Sequence, residues 1–365
     1  MASNLDTARP APSIFPPANC PLVSIIVVNY NGAERLLECV EALLADSYSE
    51  RELIIVDNAS GDGSQDILKE VAARYSGVTV LWSPRNLGYA GGVNLALNTA
   101  SHGSYVAVLN MDVIVEPGWL ESLISFLEKR PGVGAVNPLL ALANNKGINA
   151  MGQDVHITGL GFNRLLGRPM ERALLEPVRV SGIQGGAFVI RRELLERIGG
   201  MDAGGFLYHE DVNLSWLLHL MGFELYCVPE SVVRHDYFLS MYPEKLYLLE
   251  RNRWAMLLAY LHKSSLVLMT PALIATEALL WGYCLLRGWS FMKAKAASYR
   301  WILGHRQQIE QRRRLAESVR AISDWKLLAQ LRWAYAWDQF LTLGRERGPS
   351  QRQPVGGISE ELMNS

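Results

Sequence analysis

The chain predicts an α/β fold, a mostly parallel sheet flanked by helices, followed by a C-terminal helical region that associates with a membrane. Three observations carry that expectation. From Leu22 to about Arg251, short β-branched runs alternate with longer helical patterns, as parallel strands require because each connection must cross the sheet. The strand runs are almost continuously apolar, which fits strands covered on both faces. After Asn252 the composition turns nearly all apolar, and then basic and rich in Trp.

The strands come in order as Val23-Ser24-Ile25-Ile26-Val27-Val28, Leu53-Ile54-Ile55-Val56, Val78-Thr79-Val80-Leu81-Trp82 and Tyr105-Val106-Ala107-Val108-Leu109. Between the first two, Glu34 to Ala45 sets Leu36, Leu37, Val40, Leu43 and Leu44 on a helical stripe. Glu210-Asp211 opens a later helix, "EDVNLSWLLHLM", closed by Gly222. The run Ser265 to Leu286 is long enough to span a hydrocarbon core of ~30 Å. Pro271 and Glu277 stand against spanning, the latter costing on the order of 2.5 to 3.5 kcal/mol at mid-bilayer. Lys293 to Arg347 interleaves Arg and Lys with Trp, Tyr and Leu, which suits a helix on an anionic membrane face; a helical cap on the main domain is the alternative. The expected divisions are a flexible tail at 1–21, a main domain at 22–254 with halves at about 22–115 and 116–254, the C-terminal helices at 255–347, and a polar tail at 348–365. No internal repeat is visible.

With 365 residues, the chain accommodates one large domain plus an appendage, or two domains. Its hydrophobic content of 49% and mean hydropathy of +0.07 are high for a purely soluble enzyme. A net charge of -1 argues against a nucleic-acid binder. Cys20, Cys39, Cys227 and Cys284 lack CxxC spacing, which fits a reducing compartment and gives no metal-finger signal. The proline-rich start has no apolar core of signal-peptide length.

In an open parallel sheet, ligands bind at the carboxyl ends of the strands. Here those ends read Asn29-Tyr30-Asn31-Gly32, then Asp57-Asn58-Ala59-Ser60-Gly61-Asp62-Gly63, and finally Asn110-Met111-Asp112. Each alone is explained by turn formation or helix capping, but three in register put polar groups on one edge. Gly88, Gly91 and Gly92 precede a small-residue helix, which lets backbone approach a bulky ligand and offers N–H donors to phosphate. The pattern is not GxGxxG after a first strand, so it gives no support to dinucleotide binding.

These segments, in this order, resemble the family 2 glycosyltransferases of GT-A type, Rossmann-like fold, and more narrowly their rhamnosyltransferase-like branch. The matching stretches are "SIIVVNYNG" (24–32), "LIIVDNASGDGS" (53–64), "NLGYAGGVN" (86–94), "LNMDV" (109–113), "GGAFVIRRELLERIGGMD" (185–202), "FLYHEDVNL" (206–214) and "VPESVVRH" (228–235). The resemblance implies a nucleoside-diphosphate sugar, dTDP- or UDP-linked, as donor. Asn29, Asn31 and Asp57 would meet its base and ribose, and Asn86, Gly88 and Gly91 its sugar and diphosphate. It implies Mn²⁺ or Mg²⁺ held by Asp112 and His235, with Asn110 where many relatives have Asp. Asp211 is then the base and Glu210 its neighbour in the acceptor site. Gly185 and Gly186 would admit an acceptor chain, and Arg251 would hold phosphate or simply cap a helix. Asn213 and Leu217 depart from the Asp and Arg common in relatives, which leaves acceptor identity open.

The chemistry matches these needs. A departing nucleoside diphosphate gains negative charge that a hard cation neutralises, and an attacking hydroxyl must lose its proton to a nearby carboxylate. Acids in a first helical turn are favoured by the dipole, which is expected to lower the pKa of Asp211. The resulting expectation is an inverting, metal-dependent enzyme at the cytoplasmic face of the membrane, with a lipid-linked or polysaccharide acceptor. The rival expectations are a catalytically weak nucleotide-sugar-binding scaffold, motivated by Asn110, Asn213 and Leu217, and a nucleotidyltransferase.

Overall fold

The computed structural model describes residues 20–100, 103–143, 147–237 and 239–345. The tail expected at 1–21, save its last two residues, and the tail at 348–365 lie outside the described residues. The four expected strands form as β1 (Val23–Asn29), β2 (Arg51–Asp57), β3 (Val78–Trp82) and β4 (Tyr105–Asn110), with β1 parallel to β2 and β4, and β2 parallel to β3. Helices α1 (Ala33–Ala45), α2 (Ser64–Arg74) and α3 (Gly88–Leu97) make the crossovers. Alternate side chains enter opposite layers: Ile26, Val28, Ile54 and Val56 on one face, Ile25, Val27, Leu53 and Ile55 on the other. The α1 stripe holds for Leu36, Val40 and Leu43, but Leu37 is 42% exposed because it lies about 100° round the helix from Leu36.

Beyond β4 come β5 (Val113–Val115), α4 (Trp119–Glu128), β6 (Val133–Leu142), β7 (Ile148–Ala150), β8 (Gln153–Val155) and β9 (Gly161–Asn163). They are followed by β10 (Val178–Val180), β11 (Ala187–Arg191), α5 (Arg192–Arg197), α6 (Glu210–Leu220) and β12 (Glu224–His235). The main path of the sheet is β10-β12-β6-β11-β4-β1-β2-β3. β11 runs antiparallel between β4 and β6, whereas β12 is parallel to β6 and takes β5 and β10 as antiparallel partners. The sheet is therefore parallel from β3 to β4 and mixed beyond. β8 and β9 form a separate hairpin.

The C-terminal zone is wholly helical through Arg345 apart from its connections: α7 (Pro243–Tyr260), α8 (Lys263–Leu268), α9 (Thr270–Arg287), α10 (Trp289–Gly304), α11 (Arg306–Val319), α12 (Asp324–Leu328) and α13 (Trp337–Arg345). The division expected at 254/255 falls inside α7. Among the described residues no helix is long and apolar enough to cross a membrane. The candidate run 265–286 is interrupted at Met269, between α8 and α9, and Glu277 turns into protein. There Glu277 meets Arg253 at 2.5 Å and Lys295 at 2.8 Å, and the same two cations hold Glu250 at 2.7 and 2.6 Å. This quartet, in which Glu277 alone keeps some exposure, ties α7, α9 and α10 together, and α7 in turn packs on α6. Charges so deep are tolerated only because each is paired. One face of α8 and α9 still points outward, with Val267, Leu268, Ile274, Leu285 and Leu286 60–89% exposed.

Candidate active site

At the carboxyl edge, β1 and β2 set Asn29 beside Asp57. Asn29 Nδ2 donates to Asp57 Oδ1 (3.1 Å) and Ser60 Oγ (3.0 Å), and the Ser60 amide donates to Asp57 Oδ2 (3.2 Å). Both side chains are fully buried, so they shape the edge from behind it. Asn31 lies nearer the opening, its Oδ1 accepting from the Gly61 amide (2.8 Å). Asn58, which sequence reasoning did not single out, fixes the glycine segment. Its Nδ2 donates to Asn86 Oδ1 and to the Gly88 carbonyl, both at 3.0 Å, and its Oδ1 accepts from the Leu87 amide. Gly88 has φ +73°, and a Cβ there would come within 2.0 Å of the Phe206 carbonyl. Asn86, Gly88 and Gly91 do not line the cavity as expected; they seat α3 against the 203–206 loop.

Asp112 follows β4, and β5 pairs with the end of β12 so that His235 lies opposite Val113. His235 Nε2 is 3.3 Å from Asp112 Oδ1, and its Nδ1 is 2.9 Å from Asn149 Oδ1. Nε2 faces the carboxylate, whose Oδ1 is buried and otherwise without a hydrogen-bond partner. An imidazole nitrogen and a carboxylate oxygen so placed are the residue types that could hold a divalent cation together. Burial works to raise the pKa of Asp112, but His235 and Arg35 outweigh it and hold the group below the usual carboxylate range. No cluster of three or more His, Cys, Asp or Glu suited to a metal occurs among the described residues.

The catalytic candidates open α6. The residues before them, Phe206, Tyr208 and His209, have φ of +63°, +64° and +72°. Such conformations cost about 1–3 kcal/mol each in non-glycine residues and persist only where the surroundings impose them. Here Asn252 of α7 imposes them, its Nδ2 reaching the carbonyls of Gly205 (2.9 Å), Leu207 (3.2 Å) and Tyr208 (2.8 Å). The Tyr89 amide takes the Phe206 carbonyl, and His209 Nε2 donates to the Gly159 carbonyl. Arg251 belongs to this clamp and does not face the cleft. It is 3% exposed, donates to the Gly205 carbonyl at 2.8 Å and lies over the rings of Tyr247 and Trp301, because this face of α7 turns inward. Asn252 was missed by sequence reasoning; a polar Arg-Asn-Arg step inside a helix of apolar character was the available signal.

Asp211 is held on every side. Its Oδ2 accepts from the Gly185 amide (3.0 Å) and Gln153 Nε2 (2.8 Å), and its Oδ1 from the Val212 amide (2.8 Å). Glu210 keeps some exposure in the cleft, but its Oε2 is shut off from solvent and has no hydrogen-bond partner. Burial, then the neighbouring Asp211 charge, push Glu210 up to about 8. Burial also raises Asp211, against its amide donors, so the dipole-driven lowering expected from sequence is overridden by desolvation. Gly185 and Gly186 let two side chains approach main chain: a Cβ on Gly186 would meet His235 at 3.0 Å. Asn213 and Leu217 are buried on the far side of α6, Asn213 accepting from Tyr260 Oη (2.7 Å), and neither lines the cleft.

Asn31, Asn110, Asp112, Glu210, Asp211 and His235 border one cavity of about 920 Å³. Gln153, another residue sequence reasoning missed, lines it as well.

This architecture is that of the GT-A glycosyltransferases. It aligns with a crystal structure of GalNAc-T7 with UDP, GalNAc and Mn²⁺ at a TM-score of 0.55 and 20% identity, covering 66% of this chain and 49% of that one. A mannosyltransferase from Pyrobaculum calidifontis, in complex with GDP-Man and Mn²⁺, aligns at a TM-score of 0.50 and 18% identity, covering 86% of each chain. In sequence, residues 24–199 match the family model for glycosyl transferase family 2. That match covers just under half of the chain, and over that stretch the chain is similar to the family 2 glycosyltransferases. It is 28% identical over 157 residues to a glycosyltransferase of Haemophilus influenzae, covering 43% of this chain and 48% of that one. It is 26% identical over 235 residues to the N-acetylglucosaminyl-diphospho-decaprenol L-rhamnosyltransferase of Mycobacterium tuberculosis, covering 59% and 76%. The chain spans 48%, 25% and 39% of the length of three curated relatives it matches, the Haemophilus influenzae protein being the first of these.

Proposed function

We propose that the protein is an inverting, cation-assisted glycosyltransferase. It moves a sugar from a dTDP- or UDP-sugar to a lipid-linked or polysaccharide acceptor at the cytoplasmic face of a membrane. The observation that carries this reading is the convergence of the Asp112–His235 pair and the Glu210–Asp211 pair on one cavity that also reaches the carboxyl edge of β1. Rhamnose is the first donor sugar to test, on the strength of the rhamnosyltransferase relative alone.

Asp112 and His235 would hold Mn²⁺ or Mg²⁺, which when bound neutralises the charge growing on the nucleoside diphosphate. Both ions accept several non-protein ligands, so two side chains suffice with diphosphate and water. Asp211, fixed by three donors, accepts the proton of the acceptor hydroxyl as its oxygen bonds to the anomeric carbon and the bond to the diphosphate breaks on the opposite face. Glu210 keeps its own proton near neutral pH and can donate it as a hydrogen bond to an acceptor oxygen. The departures at Asn213 and Leu217 lie outside the cavity, which removes their support for a scaffold without turnover. A donor screen by calorimetry, with and without Mn²⁺, paired with detection of released nucleoside diphosphate, tests the proposal. Metal-dependent binding and turnover of one nucleotide sugar is expected; no turnover of any member sinks it, and release of pyrophosphate instead would mark a nucleotidyltransferase.

A further inference from the structure

Past Asp211 the cavity changes character. Its donor end is lined by polar groups such as Asn31, Arg35, Asp62 and Asp112. Its other end runs between α7 and α9, where Leu160, Phe162, Leu249, Leu280, Tyr283 and Phe340 line it beside Glu250 and Arg253, whose charges are paired with each other. Phe162 and Phe340 meet edge to face with centroids 5.3 Å apart, and Gln339 fastens α13 to β9 through the Asn163 amide (3.2 Å) and carbonyl (2.9 Å). The wall is thus built from distant segments held in place. The diphosphate and the sugar hydroxyls of a donor give such a wall no partner.

The outer side of the same helix is also apolar. α9 gives Leu280 and Tyr283 to the cavity and exposes Ile274, Leu285 and Leu286 on its other face, continuous with Val267 and Leu268 of α8. From Lys263 to Ile309 the sole carboxylate in the sequence is Glu277, which Arg253 and Lys295 hold, while Lys263, Lys293, Arg300 and Arg306 are exposed. An apolar face rimmed by cations and free of exposed acids complements an anionic lipid surface. Lys245 lines the cavity where its polar and apolar parts join, with Nζ 5.0 Å from the Tyr208 ring.

We propose that the arm between α7 and α9 is the subsite for the hydrocarbon chain of a lipid-linked acceptor, which enters beside the exposed face of α8 and α9 with its phosphate near Lys245. What sugar the lipid carries rests on the glycosyl-transfer reading; the existence of the arm does not.

The test is calorimetric binding of n-alkyl phosphates from ethyl to decyl, each below its micelle concentration, to the full chain. Enclosure predicts a Kd falling about fourfold per added methylene, equivalent to about 0.8 kcal/mol, until the arm is filled. Leu249→Glu, at a half-buried lining position, is expected to flatten this dependence. Phe340→Ala, on the opposite wall, is expected to weaken it, which covers the case in which the first variant melts early. Affinity independent of chain length, or a dependence unchanged in both variants as adsorption on the outer face would give, overturns the proposal. Nucleoside diphosphate release from donor sugars is measured separately on the wild type. Its absence alongside chain-dependent binding would refute the transferase reading and leave the arm standing.

Discussion

Glu210→Gln isolates the electrostatics of the catalytic pair. In the wild type the two carboxyls share a buried site, and Asp211 ionises first because it alone has three donors. Glu210 holds its proton up to about 8. The expected profile of kcat/KM therefore rises as Asp211 loses its proton, above the ordinary Asp range because burial raises it, and falls again near 8 as Glu210 ionises. Gln keeps a donor but cannot ionise, so the variant is expected to lose the falling limb and keep the rising one. Stability follows with a definite sign. The folded state binds the Glu210 proton more tightly than the unfolded chain does, so this contribution is complete below about 4.5 and is lost as pH climbs to about 8. At ~1.4 kcal/mol per pH unit the loss amounts to as much as about 5 kcal/mol. Glu210→Gln escapes it, so the variant is expected to melt higher than wild type at about pH 9 and at the same temperature near pH 4. Rates of nucleoside diphosphate release from about pH 5 to 9.5, with melting curves over the same range, provide both readouts. A falling limb that survives in the variant, or a variant less stable than wild type at high pH, refutes the reasoning.

Asn252→Ala removes the donor shared by three carbonyls before α6; a fall in kcat of about 100-fold with donor affinity retained is expected, since small misplacements of a base cost on that order. Steady-state kinetics beside donor calorimetry separate this outcome from simple unfolding. Asp112→Ala is expected to abolish Mn²⁺-dependent donor binding, whereas Asn110→Asp retains or tightens it; equal binding by all three proteins in calorimetry contradicts the assignment. Lys295→Met leaves Glu250 and Glu277 to share Arg253, and urea unfolding is expected to show a loss of about 3–5 kcal/mol.

The parallel half was legible because its signals are local. β-branched runs, turn residues and a helical stripe predict β1 to β4 and α1 within a residue or two at each end, and "EDVNLSWLLHLM" starts where α6 starts. The insertion of antiparallel β11 between β4 and β6 was not legible, since pairing partners 53 to 86 residues apart leave no trace in periodicity. Whether the apolar run after Asn252 crosses a membrane was not legible for a related reason. A helix buried against protein and one buried in lipid have the same composition, and what distinguishes them is Glu277 finding Arg253 and Lys295 in space. At the candidate site, the carboxylates Asp112 and Asp211 were readable as residue types, and both line the cavity. Supporting roles were not: Asn58, Gln153 and Asn252 act on backbone or side chains 28 to 58 positions away.

The continuous sheet has a consequence for how the enzyme cycles. Because β11 bridges β4 and β6, the parallel strands β1 to β4 and the mixed strands beyond them form one hydrogen-bonded plate beneath the proposed donor and acceptor ends. Enzymes with two hinged lobes trap substrates by clamshell motion, but here that motion would tear a main-chain ladder. Sealing the reaction from water falls instead to elements lying over the cavity, among them the β8–β9 turn and α13. Turnover would then be paced by short excursions of such covers, and hydrogen exchange during catalysis is expected to change there while the plate stays protected throughout.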